Sequence, residues 1–190
     1  MPKIFGFDID GVLYPWHQLA YRWAIDALDM DISYEEFWGK EGFIHKIDKE
    51  EEWAIFRSNL INNPVLYNCV SIPEAFVEAV WKINTIFDGK TCYLTSRPMG
   101  VETSTSRLLV SNGLPNPDKL YFSRSSPKSM LVKELGITHY VEDHRKHIID
   151  LEGKLKQLFM VEHVYNSYLE TTAIRINDVT DIPALIDKGD

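Results

Sequence analysis

The chain has 190 residues, 45% of them hydrophobic, enough for one sizeable core and one domain with room for an insertion. Its 20 Lys and Arg against 28 Asp and Glu give a formal charge of −8, which repels polyanions and, without a local basic patch, excludes duplex DNA or long RNA as a partner. No apolar run approaches the ~18 residues of a membrane span, no leader pattern precedes the first strand-like segment, and Cys69 and Cys92 lack CxxC or zinc spacing; a soluble cytoplasmic protein is expected, with no membrane partner and a homodimer left open.

Residues 3 to 8 form the first predicted strand, which delivers Asp8 and Asp10 into a turn at Gly11. Successive strand side chains face opposite ways, so across Asp8-Ile9-Asp10 the two acids leave on the same side. At ~4 Å and an effective dielectric of about 20, their repulsion is about 4 kcal/mol. Three arrangements relieve it: a bound divalent cation, a shared or unequally held proton, or exposure of both acids in an ordinary solvated turn.

Residues 15 to 70 then read as all helical: about 17 to 30, 33 to 39 opened by a Ser33/Glu36 capping box, and about 49 to 60. An insert after strand 1 emerges beside the carboxyl end of the sheet, where open α/β sheets bind ligands, and can cover the site as a lid. It is rich in aromatics, most of which suit its own small core. Trp16, Tyr21, Trp38 and Phe43 are the candidates to face the cleft and stack on a planar ligand.

From Pro73 onward strand and helix alternate. Helices are predicted from Pro73 to Phe87, from about Val101 to Asn112, and from Ser126, as cap, through Pro127 to Gly136; strands are predicted at 91 to 95, 119 to 122, 138 to 142, 158 to 162 and 173 to 176. Such alternation predicts an α/β domain with a mostly parallel sheet.

Three later element ends carry polar groups. Thr95-Ser96-Arg97-Pro98 follows an apolar strand, and its hydroxyls and arginine could grip a phosphate or simply make a turn. Lys128 is expected at the second position of its helix, where a cation opposes the helix dipole and an anion in front would turn the two into allies; it is favoured over Lys133. Glu142 and Asp143 end the fourth strand and need a counter-charge, which a cation near Asp8 and Asp10 would supply; oxygen-only ligands suit Mg²⁺. His144 and His147 are read as surface residues at a helix start.

In their order and placement, Asp8-x-Asp10-Gly11-Val12, Thr95, Lys128 and Glu142-Asp143 resemble the four motifs of the haloacid dehalogenase (HAD) superfamily of phosphatases, over residues 3 to about 145. Leu94-Thr95-Ser96-Arg97-Pro98, the helix start Ile72-Pro73-Glu74-Ala75, and Tyr165-Asn166 followed by Arg175-Ile176-Asn177-Asp178 are similar to the branch of 5'-nucleotidases and 5'(3')-deoxyribonucleotidases. The resemblance implies a HAD-like Rossmannoid α/β fold: residues 1–14 and 71–190 as the core domain and 15–70 as a helical cap. It also implies Asp8 as nucleophile, forming an aspartyl-phosphate, and Asp10 as the group that protonates the leaving oxygen and then activates water. Mg²⁺ would be held by Asp8, the backbone carbonyl of Asp10, and Asp143, while Thr95, Ser96 and Lys128 would hold the phosphoryl oxygens. Glu142 departs from the commoner aspartate and receives no role. Arg97, Trp16, Tyr21, Trp38 and Phe43 would contact the substrate. The expected substrate is a small phosphorylated metabolite, first a nucleoside monophosphate. A sugar phosphate, a phosphotransferase and a non-catalytic binding protein on the same scaffold stand as alternatives.

Overall fold

The computed structural model describes residues 3–40, Ser58, 61–124 and 126–186. Six parallel strands form one sheet in the order β3-β2-β1-β4-β5-β6: β1 Phe5–Phe7, β2 Thr91–Thr95, β3 Leu120–Phe122, β4 His139–Glu142, β5 Gln157–Val161 and β6 Ile174–Ile176. Each lies within two residues of its predicted bounds. β1 pairs with β2 through Phe5↔Thr91 and with β4 through Phe5↔His139. The chain winds outward from β1 to β3, then returns to the other side of β1 for β4 to β6. This reversal between β1 and β4 is the place where parallel α/β sheets open a crevice at their carboxyl ends.

Both faces of the sheet are covered, which is why its central strands read as near-continuous apolar runs. On one face Phe5, Phe7 and Phe159 pack with Val80 and Ile83 of the helix Glu74–Ile86 and with Val179 and Ile182 near the end of the chain. On the other, Leu94, Tyr140 and Met160 pack with Val132, Ile148 and Leu151. Gly6 makes that second face possible, because a Cβ there would lie 2.6 Å from the Tyr140 ring.

Among the described residues the helices in order are α1 Trp16–Leu28, α2 Tyr34–Trp38, α3 Glu74–Ile86, α4 Glu102–Ser111, α5 Lys128–Glu134, α6 Arg145–Leu151 and α7 Ile182–Leu185. The capping box at α2 is formed: Glu36 N–H donates to Ser33 Oγ at 3.2 Å and Ser33 N–H to Glu36 Oε2 at 2.7 Å. The start of α5 differs from the prediction. Pro127 has extended ψ, 136°, so it is itself the N-cap; Ser126 lies outside the helix and Lys128 takes the first position instead of the second. The third predicted helix of the insert falls outside the described residues, except for Ser58. α1, α2 and the 3₁₀ turn Pro64–Tyr67 enclose a small core of Ala20, Ala24, Phe37, Trp38 and Leu66, against which Tyr165 packs from beyond β5. Among the described residues no helix is long and apolar enough to cross a membrane.

Candidate active site

Because the strands are parallel, the ends of β1, β2 and β4 bring Asp8, Thr95, Glu142 and Asp143 to one edge of the sheet. The described residues there line a cavity of about 270 Å³ that also takes in Asp10, Ser96, Arg97 and Lys128. Asp8 is 5% exposed, and its backbone N–H continues the ladder by donating to Val141 O at 3.0 Å. The turn beyond it is tight: Leu13 and Tyr14 N–H both donate to Ile9 O, at 2.9 and 2.8 Å. Gly11 sits in that turn at φ 82°, and a Cβ on it would collide with the Asp143 carboxylate and the Tyr165 hydroxyl. Only glycine allows the backbone both that conformation and that approach.

Lys128 is fully buried at the start of α5 and reaches back to the sheet. Its ammonium donates to Asp8 Oδ1, to Glu142 Oε2 at 2.7 Å and to Tyr140 OH at 3.3 Å. These carboxylates are the anions that answer its placement in the first turn. Glu142, which the sequence left without a role, is the lysine's second counter-ion, and its Oε1 accepts the backbone N–H of Asp143 and His144 at 3.1 and 3.0 Å. Burial pushes the Glu142 carboxyl up, but Lys128, His147 and the His144 N–H outweigh it and hold it at about 2.

Asp8 and Asp143 are the opposite case. Burial first, then the charge of Glu142, raises both well above the ordinary carboxylate range; the Asp10 charge adds to the rise at Asp8, and the Asp8 charge to that at Asp143. Oxygens of Asp8, Glu142 and Asp143 lie within 4.8 Å of one another, and the Lys128 ammonium bonds the first two. One buried cation cannot balance three carboxylates, and a hard divalent ion shared by Asp143, which Lys128 does not contact, and the second oxygen of Asp8 fits the excess. The donor set therefore suits Mg²⁺ at Asp8 and Asp143.

Arg97 is placed differently from expectation. Its side chain is completely buried, and Nε and Nη2 grip Asp10 Oδ2 and Oδ1 at 2.8 and 2.7 Å. Nη1 donates to Tyr67 O and Thr105 Oγ1, both at 3.1 Å, and the guanidinium carbon lies 5.2 Å from the Tyr14 ring centroid and 4.8 Å from that of Tyr67. Arg97 thus lines the cavity as the holder of Asp10, not as a free cation for substrate. Ser96 is exposed, with Oγ 2.8 Å from Ser123 Oγ and 3.2 Å from His147 Nε2. Thr95 is buried, its hydroxyl accepting the Arg97 N–H at 3.2 Å.

Of the aromatic candidates, Trp16 lines the cavity, stacked on Tyr67 with centroids 6.0 Å apart. Tyr21 and Trp38 do not. Tyr21 donates to Ile32 O at 2.5 Å and packs on Tyr34 and Phe37, and the Trp38 indole donates to His17 O at 3.1 Å. Their apolar faces complete the insert's own core. Phe43 lies outside the described residues. His144 is exposed at the N-cap of α6, as expected, and His147 is half-buried; both also border the cavity, and burial draws His147 down to about 4. Sequence reasoning gave no role to His17 and none to Tyr165, whose hydroxyl donates to Asp143 Oδ2. The signal for Tyr165 was the Tyr165-Asn166 pair a few residues beyond β5, which counted only toward the resemblance.

No protein-family model and no curated protein matches the chain. Solved structures do. A β-phosphoglucomutase from Clostridium difficile aligns at TM-score 0.57 and 16% identity over 96% of this chain and 93% of that one. CbbY from Rhodobacter sphaeroides, solved in complex with phosphate, aligns at TM-score 0.61 and 14% identity over 96% of each chain. A dehalogenase aligns at TM-score 0.59 and 11% identity over 98% of each. At such identities the likeness is one of architecture, and it agrees with the parallel sheet order and strand-end acids: the chain has the HAD-like α/β fold.

Proposed function

We propose that the protein is a Mg²⁺-dependent phosphomonoester hydrolase in which Asp8 is the nucleophile. The observation that carries this reading is the convergence of Asp8, Lys128 and Asp143 at one buried point beside an open cavity. An Asp8 oxygen attacks phosphorus, the bond from phosphorus to the ester oxygen breaks, and Asp10 gives that oxygen its proton. Water then attacks the aspartyl-phosphate, Asp10 takes the water's proton, and the Asp8 carboxylate is restored. Asp8, Asp143 and the Asp10 carbonyl would hold Mg²⁺, which when bound neutralises the acids against an incoming phosphate and polarises its oxygens. Lys128 and Thr95 stabilise charge on the transferring group. Arg97 adds a constraint: both Asp10 oxygens sit in its fork, so the acid step needs Asp10 to turn out of it.

Residues 15–70 act as a cap that selects the leaving group. The Trp16 ring on the cavity wall supports a nucleobase, and a nucleoside monophosphate is the first substrate class. A sugar phosphate is the second reading, supported by the likeness in fold to a β-phosphoglucomutase and by the hydroxyl and imidazole of Ser96 and His147, which suit sugar hydroxyls.

Phosphate release should be screened over nucleoside monophosphates and sugar phosphates, with Mg²⁺ or with EDTA. Release with Mg²⁺ is expected, falling about 10²-fold or more in EDTA and returning when Mg²⁺ is restored. Adding a nucleoside as acceptor detects transfer to an alcohol instead of water. Absence of release from every ester would favour a non-catalytic binding protein; release indifferent to EDTA would remove the metal.

A further inference from the structure

We infer that Tyr165 is the positioning residue of Asp143, fixing that carboxylate for a divalent cation while leaving its charge unspent; the inference rests on the reading of Asp143 as a metal ligand. The two acids at the end of β4 are treated in opposite ways. Glu142 is neutralised by the Lys128 ammonium at 2.7 Å. Asp143, 1% exposed, receives neutral donors: the Tyr165 hydroxyl on Oδ2, and Asn166 Nδ2 on its backbone carbonyl at 2.7 Å. A phenol orients a carboxylate without cancelling its charge, so the charge stays available to a cation.

The phenol is itself rigidly held. Its ring stacks on His163 with centroids 5.0 Å apart and packs on His17 at 4.6 Å. His163 Nε2 is 2.7 Å from the carbonyl oxygen of Gly11, the residue whose missing Cβ lets the first loop pack onto Asp143 and Tyr165. Asn166, fully buried, also donates to Val161 O at 2.8 Å, tying the segment to the end of β5. With its proton on Asp143, the phenolic oxygen lies 3.3 Å from His17 Nδ1 and can accept from it, so α1 of the insert packs on the same hydroxyl. Asp143 is thereby oriented from three separate parts of the chain. Partners of this kind typically contribute about 10- to 100-fold in metal affinity.

Tyr165→Phe deletes one oxygen and keeps the ring stack. Mn²⁺ binding to the full chain, followed by electron paramagnetic resonance, should be compared for wild type, Tyr165→Phe and Asp143→Asn. Expected are loss of binding in Asp143→Asn and a dissociation constant raised about 10- to 100-fold in Tyr165→Phe. Raising Mg²⁺ should then restore phosphate release by Tyr165→Phe toward the wild-type rate, which repair of a merely structural defect would not do. Wild-type Mn²⁺ affinity in Tyr165→Phe, with binding lost in Asp143→Asn, overturns the role of Tyr165 alone. Unchanged Mn²⁺ binding in Asp143→Asn, or none in wild type, overturns the ligand reading and the inference with it.

Discussion

Asp8→Asn is expected to lower phosphate release by about 10⁴-fold or more, an increase of about 5.4 kcal/mol in the barrier, with no loss of fold. The amide has nearly the shape of the carboxylate but lacks the charge and lone-pair strength to attack phosphorus. The fold survives for an electrostatic reason. Asp8 carries the repulsion of Glu142 in a buried site, and Lys128 keeps Glu142 as counter-ion when the Asp8 charge is removed. Circular dichroism and thermal unfolding of the variant should match wild type while turnover is gone. Wild-type turnover in Asp8→Asn would end the nucleophile assignment.

Lys128→Met is expected to cost both activity and stability. The methionine stem fills the same volume, but Asp8 and Glu142 are left as buried carboxylates with no ammonium between them. Breaking a buried pair from one side costs about 3–5 kcal/mol, which for a chain of this size lowers the melting temperature by about 6–20 °C. Adding Glu142→Gln removes one of the stranded charges and should recover part of the loss, a coupling that a double-mutant cycle measures. The pH dependence has a definite sign. Burial raises the Glu142 carboxyl but Lys128 more than offsets it, so it titrates at about 2 folded against 4.5 unfolded. The pair's contribution therefore stands in full above about pH 4.5 and is lost as pH falls toward 2. Chemical denaturation between pH 6 and pH 2 should show a steeper decline in wild type than in Lys128→Met/Glu142→Gln, which keeps only the decline due to other carboxylates held low, such as Asp150.

The central strands were legible because each is a short apolar run ending in polar residues, the mark of a parallel sheet buried on both faces, while the edge strands β3 and β6 are less buried and were legible from the alternation with helices. Asp8, Thr95 and Asp143 were legible for a related reason: chain-end geometry alone places carboxyl ends of parallel strands together. Partnership was not. The Arg97 fork on Asp10 spans 87 residues, the Lys128 contact with Asp8 spans 120, and the Tyr165 hydroxyl reaches Asp143 across 22 through a loop with no regular period. Nothing local distinguishes an arginine that will hold an aspartate from one that will hold a phosphate. The cap was misread in the same way. Tyr21 and Trp38 have the composition of stacking residues, but helix phase turns them into the insert's core, while Trp16, at the first position of α1, meets the cavity. The misplaced cap of α5 is a matter of one ψ angle at Pro127, which the fixed φ of proline leaves undetermined.

The covalent step is the central claim, and it can be observed directly. During turnover of a substrate labelled with ³²P at the phosphoryl group, acid quench followed by peptide mapping should find label on the peptide containing Asp8, in a form discharged by hydroxylamine, at up to about one phosphoryl per chain. Asp8→Asn should carry none. Continued phosphate release by the wild-type protein with no label on Asp8 at any quench time would contradict the account.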